Sequence, residues 1–149
     1  MPLGFKNNAI ILSNETGTKI KSAIISDYYK LWWEITSGNI SGNFRHYTSI
    51  IEMHAATGEI YIEETDETLL GSAGHALKLK LDRNQYETRN LKIICIEQDK
   101  ECFKKLKNVI NSRWPQVDIG KTEAPLEDDD TNIYLIHSGV DESLKKLRG

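Results

Sequence analysis

The sequence predicts an α/β fold in which a parallel sheet is covered by helices, and three observations carry that expectation. Leu91 to Ile96 is a near-continuous apolar run of the kind found in strands buried on both faces. Asp99 then stands in helix-capping position, and Cys102, Phe103, Leu106, Val109 and Ile110 recur at helical spacing until Pro115 ends the pattern. Tyr47 to Met53 and Thr131 to His137 are shorter β-branched and apolar runs on either side of this unit, so strand, acidic turn and helix follow in βαβ order.

Taken from the start, Ile20, Ala23, Ile24, Tyr28, Leu31, Trp32 and Ile35 recur at three- and four-residue steps, which predicts an amphipathic helix over Lys19 to Ile35 with these residues on one face. Gly38 and Gly42 break the period, so the helix should stop between Thr36 and Asn39. Its aromatic end, Tyr28, Tyr29, Trp32 and Trp33, reads as core packing in preference to a base-stacking platform.

The strand at Tyr47 to Met53 runs into His54, Ala55, Ala56, Thr57 and Gly58, small residues that permit a tight turn. A polar, acid-rich stretch from Glu59 to Thr68 follows, with an extended piece at Glu59 to Glu63. Gly71 and Ser72 then introduce a helix over Ala73 to Asp82, with Ser72 as its expected N-cap. After Pro115, Val117 to Ile119 is expected to pair briefly. Glu127 to Asp130 reads as a solvated acidic loop rather than a cation site, and Asp141 to Leu147 as a short terminal helix.

A chain of 149 residues without an internal repeat or linker is expected to form one domain around one core. A formal charge of -3, with basic and acidic residues interspersed, argues against a mainly electrostatic nucleic-acid binder. The densest lysines, Lys100, Lys104, Lys105 and Lys107, read as the solvated face of a helix. No signal sequence opens the chain and no apolar stretch approaches the roughly 20 residues that span a bilayer, so no membrane association and a cytoplasmic location are expected. Cys95 and Cys102 fit that compartment as buried, inert thiols.

Ligands of open parallel α/β sheets bind beyond the carboxyl ends of the strands. There the sequence places Glu52-Met53-His54-Ala55-Ala56-Thr57-Gly58 after the first strand of the sheet and Ile96-Glu97-Gln98-Asp99 after the second. A strand-end carboxylate accepts hydrogen bonds from ribose hydroxyls, and turn amides meet the other end of a nucleoside cofactor. The same residues also describe an ordinary small-residue turn beside a solvated acid.

The first of these runs resembles the opening motif of S-adenosylmethionine-dependent methyltransferases of the three-Cys-motif partner family, Asp-x-Phe-Ala-Gly-Pro/Thr-Gly. Gly71-Ser72-Ala73-Gly74-His75-Ala76-Leu77 resembles that family's Gly-Ser-Pro-x-x-Ala-Leu helix start, and Ile96-Glu97-Gln98-Asp99-Lys100 its second strand end. The resemblance implies a Rossmann-like fold with a partial methyltransferase-type sheet, in which 19–38 is a leading helix and 47–149 the front half. It implies that Ala55, Ala56, Thr57 and Gly58, with His54 beside them, face the methionine part of S-adenosylmethionine. Glu97 would meet the ribose, Val140 or Asp141 the adenine edge, and Glu52 the amino group or a bridging water. A three-Cys-motif protein is the partner the family implies.

The departures from that pattern shape the expectation. His54 replaces an aromatic residue, Ala56 a glycine and Ala73 a proline, and a methyl group on Ala56 obstructs the loop if positive φ is needed there. Further strands, one carrying an Asp-Pro catalytic segment beside the first, are implied by the family and are not seen after His137. The chain therefore reads as truncated after the third strand, with an open edge on the first that a homodimer or a complementary chain would complete.

The alternative is a nonenzymatic protein-interaction module on a remnant scaffold. A metal-dependent nuclease built on Glu52, Glu97 and Asp99 with Lys100 is a third reading, weaker because Asp99 is explained as a cap. His54 and His137, both at strand ends, and His46 and His75 read as ordinary polar positions.

Overall fold

A computed structural model describes residues 4–37, 48–123, 132–139, 141–142 and 145. They form a mixed α/β structure with two sheets. The sheet predicted from the apolar runs is parallel and three-stranded, with β3 (Thr48–Glu52), β6 (Leu91–Glu97) and β7 (Ile133–His137) in the order β3-β6-β7. Ile50 pairs with Ile93 and Ile93 with Ile133, and Glu52 with Cys95 and Cys95 with Leu135, so these side chains share one face.

That face is the core. Ile50, Ile93, Cys95, Ile133 and Leu135 are buried against Ala73, Ala76 and Leu77 of α2 (Ser72–Leu81) and Phe103, Leu106 and Ile110 of α3 (Lys100–Arg113). The opposite face buries Ile94, Ile96 and Tyr134. Burial on both faces is the reason Leu91–Glu97 reads as a continuous apolar run.

The α3 helix starts as expected: Asp99 Oδ1 accepts the Cys102 backbone N–H at 2.8 Å. Backbone bonds to the charged form hold the Asp99 carboxyl below its ordinary range. The C-cap of α3 is Trp114, directly before Pro115, and the Trp114 indole N–H donates to Asp82 Oδ1 at 2.7 Å, tying the ends of α2 and α3 together. Cys95 and Cys102 are both free and buried, and burial raises both thiols, Cys102 to about 12 with help from the Asp99 carboxylate.

The second sheet is only partly legible in the sequence. Strands β1 (Phe5–Lys6), β2 (Ala9–Leu12), β4 (Glu59–Ile62) and β5 (Glu67–Leu70) form it in the order β1-β2-β4-β5, with β2 and β4 parallel and the other pairs antiparallel. The expected extended piece is β4. The acid-rich residues after it make the turn of a hairpin, with Asp66 at positive φ and its carboxylate bonded to the Tyr61 hydroxyl. β1, β2 and β5 are too short for periodicity to reveal.

Three local expectations are corrected. The N-cap of α2 is Gly71; Ser72 lies inside the helix, and its hydroxyl bonds to Glu52. Val117 sits in a turn, and α4 (Ile119–Thr122), capped by Asp118, replaces the expected strand pairing. The third concerns α1 (Thr18–Ser37). It spans the expected residues, and Tyr29, Trp32 and Trp33 pack toward the core as expected of its aromatic end, but Tyr28 does not: it lies on the surface with Ile20, Ile24, Leu31 and Ile35.

The N-terminus of α1 is held by Glu15, whose carboxylate accepts the Gly17 and Lys19 backbone N–H groups. Tyr47, His46, Gly38, Gly42 and the acidic run 127–130 lie outside the described residues. Within the predicted terminal helix, Asp141, Glu142 and Lys145 are helical. No described helix is long and apolar enough to cross a membrane.

Candidate functional site

The carboxyl ends of β3, β6 and β7 carry the predicted site, and its centre is Glu97. After β3 the chain leans over the neighbouring strand, Ala55 N–H donating to the Ile96 carbonyl at 3.0 Å. The next amide, Ala56 N–H, donates to Glu97 Oε1 at 2.8 Å, and the Asp99 N–H donates to Glu97 Oε2 at 2.7 Å. One carboxylate thus clamps the turn after the first strand of the sheet to the turn that opens α3. The sequence places this acid and this turn side by side, and they are in direct contact.

The turn itself is tight. Ala56 has φ +52° and Gly58 φ +83°, and Thr57 is fully buried with its hydroxyl donating to the Glu59 carbonyl at 3.0 Å. The Gly58 carbonyl accepts the Gly71 N–H at 2.9 Å and lies so close to α2 that a Cβ on Gly74 would collide with it. Gly74 is therefore what lets the helix approach the turn.

Positive φ at Ala56 is the condition under which its methyl group matters. An alanine held in the left-handed region costs about 1 kcal/mol relative to glycine. Ala56→Gly is therefore expected to raise stability by about 0.5 to 1 kcal/mol, measured as a higher urea midpoint at unchanged slope. A lower midpoint would show that the turn does not hold this residue at positive φ.

Glu52 does not stand free at the strand ends, where the resemblance would have it meet a cofactor. Its Oε1 accepts the Tyr29 hydroxyl at 2.6 Å and the Ser72 hydroxyl at 2.8 Å, joining α1, β3 and α2. Burial, and then the Glu52 carboxylate, raise the Tyr29 phenol well above its ordinary range, so it stays a donor. Tyr29, Ser72 and Gly74 are the members of this region that sequence reasoning did not assign. The Gly-Ser-x-Gly start of α2 was the available signal for the last two.

The remaining predicted residues divide. His54 is exposed beside the turn. His137 Nε2 lies 3.1 Å from the Gln98 carbonyl, and its ring stacks on Phe103 at 5.0 Å. Gly139 sits next to the Gln98 side chain, so the turns after β6 and β7 adjoin. Asp141 is exposed on a helical turn, and Val140 lies outside the described residues.

His75 is bound to Ser22 Oγ at 2.7 Å between α1 and α2, its pKa lowered by burial and then by Lys78, Lys30 and Arg113. Among the described residues no three His, Cys, Asp or Glu side chains converge as a metal site, so the acids of the nuclease reading are not gathered. Lys105 bonds to the Asn7 carbonyl and Lys107 to Glu123, which accounts for two of the four clustered lysines as local contacts.

Two cavities lie elsewhere. One, of about 740 Å³, sits at the amino ends of β6 and β7 beside Arg83, Tyr86, Arg89 and Lys121. The other, of about 310 Å³, lies between α1 and α2 beside Tyr29, Lys30, His75 and Asp82. Neither is lined by Glu97 or by the Ala55 to Gly58 turn. No protein-family model, curated protein or solved structure matches this chain, so the site's geometry stands as the ground for a functional reading.

Proposed function

We propose that the chain is an S-adenosylmethionine-binding, methyltransferase-like domain on a Rossmann-like sheet, and that the ligand lies across the carboxyl ends of β3 and β6. The observation that carries the reading is the contact of Glu97 with the Ala56 and Asp99 amides at adjacent parallel strand ends. A carboxylate held in this way by two turns is oriented before any ligand arrives. Each of its oxygens accepts one of these bonds and has a second lone pair for a ribose hydroxyl.

The turn between Met53 and Gly58 supplies small residues and a close backbone on the other side of the same edge. The donor set suits a neutral ribose with a zwitterionic tail better than a phosphate, because the central side chain is an anion. The sulfonium of the bound molecule supplies an activated methyl group. The chain's part is positioning: Glu97 fixes the ribose, and Gly74 lets α2 press the turn against it. Acceptor activation is assigned to no side chain.

A second reading, a protein-interaction module, draws on β3. Among the described residues β3 pairs with β6 alone, and Ile51 and Met53 at its end are 42% and 45% exposed. A homodimer partner or a complementary chain would pair along that edge, and a three-Cys-motif protein is the partner the resemblance implies.

Isothermal titration with S-adenosylmethionine and S-adenosylhomocysteine separates the two. The first reading expects saturable binding at or below about millimolar dissociation constant, displaced by adenosine. Absence of heat and of thermal stabilisation at millimolar ligand overturns it and leaves the module.

A further inference from the structure

A helix on the surface of a monomer turns its apolar stripe inward and its polar residues to solvent. In α1 the arrangement is different. The side that meets the body of the protein is mixed: Ser22, Ser26 and Tyr29 are half-buried there together with Ile25, and Trp33 is buried. The Ser22 hydroxyl donates to the Leu70 carbonyl at 3.1 Å and meets His75, and the Tyr29 hydroxyl is bonded to Glu52.

These bonds fix the helix's rotation about its axis. Ile20, Ile24, Tyr28, Leu31 and Ile35 are thereby turned outward, each between 57% and 67% exposed, at steps of four, four, three and four residues. Such spacing makes one continuous stripe nearly the length of the 20-residue helix.

We propose that this stripe is an interface in which α1 packs against α1 of a second copy of the chain about a two-fold axis. Five large side chains contributed by each copy remove on the order of 1,000 Å² of surface from water, the lower bound of specific interfaces. Each copy contributes about half of that, the size of the largest apolar patch on a typical monomer, and such patches are often functional.

The charges favour a copy of the same chain over other occupants. The exposed charged residues of α1, Lys21, Asp27, Lys30 and Glu34, balance in sign, and Lys19 is already paired with Glu67 at 2.5 Å. A helix that lies on an anionic membrane carries an excess of lysine and arginine on its polar face, and this one does not. A strongly acidic or basic partner finds no complementary field. A two-fold pairing is isologous, so a neutral apolar stripe needs only itself. This interface is independent of the cofactor reading and separate from the β3 edge.

Sedimentation velocity over a concentration series up to about 100 µM tests it, because dimerisation follows mass action. The full chain is expected to sediment at twice its 17.0 kDa mass. Ile24→Glu combined with Leu31→Glu is expected to sediment as a monomer, with an unchanged circular dichroism spectrum.

Should that variant fail to fold, Tyr28→Cys decides: oxidation should link two copies through position 28, while Tyr86→Cys, at a residue 79% exposed elsewhere, should not link. A monomer throughout the series, or a dimer that survives both glutamates, overturns the proposal. So does a monomer that binds anionic vesicles through this stripe.

Discussion

Replacing Gly74 with alanine is expected to destabilise the protein by about 2 kcal/mol, which lowers the melting temperature of a domain this size by about 6 °C. The sign is what makes the experiment informative. Within a helix, alanine is ordinarily better than glycine by up to about 1 kcal/mol, so the local propensity predicts a gain. Here the new methyl group would strike the Gly58 carbonyl oxygen and come 2.8 Å from Leu70 Cδ2.

Leu70 can turn aside, but a carbonyl already bonded to the Gly71 N–H at 2.9 Å cannot move without opening the start of the helix. The strain therefore falls on the junction of the Ala55 to Gly58 turn with α2. A melting temperature equal to or above the parent's would show that the helix does not lie against the turn.

That junction was half legible in the sequence. The small residues up to Gly58 signalled a tight turn, and the resemblance placed 71 to 77 at a helix start, but nothing in the linear pattern says that Gly74 faces the Gly58 carbonyl. Ser72 shows the same limit. A serine after glycine and before an apolar run reads as a cap, yet Gly71 serves as the cap and the hydroxyl is drawn to Glu52, a tertiary partner 20 residues away.

The parallel strands were legible for a physical reason. Leu91–Glu97 is buried on both faces, so every position carries the signal, whereas β1, β2 and β5 have two to four residues each, mostly half-buried or exposed. In α1 the helical period was correct and so was the packing of Tyr29, Trp32 and Trp33, while Tyr28 faces outward with the isoleucines. Hydrophobic periodicity measures that a face is apolar, and it cannot say whether the protein's own core or another surface covers that face. The Ser22 hydroxyl on Leu70 and His75, the Tyr29 hydroxyl on Glu52 and the buried Trp33 set the rotation of the helix, and the outward isoleucines follow from it.

Glu97 is the residue on which the candidate site depends most, and removing its carboxylate is expected to cost about 2 to 3 kcal/mol. Hydrogen bonds to a charged acceptor contribute roughly 1.5 to 3 kcal/mol each, and the two here, from Ala56 and Asp99, are partly exposed. Glu97→Ala leaves both amides to water. The Ala56 and Asp99 N–H groups should then exchange with solvent faster, while the Ile93 N–H, which donates to the Asn132 carbonyl inside the parallel sheet, keeps its protection.

Glu97→Gln sharpens the argument, because the amide keeps one acceptor oxygen and turns an NH₂ donor toward the other backbone N–H. A clamp made of two accepting oxygens is therefore expected to be weakened by glutamine nearly as much as by alanine. An ordinary solvated acid at a strand end would tolerate either change within about 0.5 kcal/mol. If glutamine proves neutral and the two amides keep their exchange rates, Glu97 does not hold the turns together, and the preorganised carboxylate on which the proposed ribose recognition rests is absent.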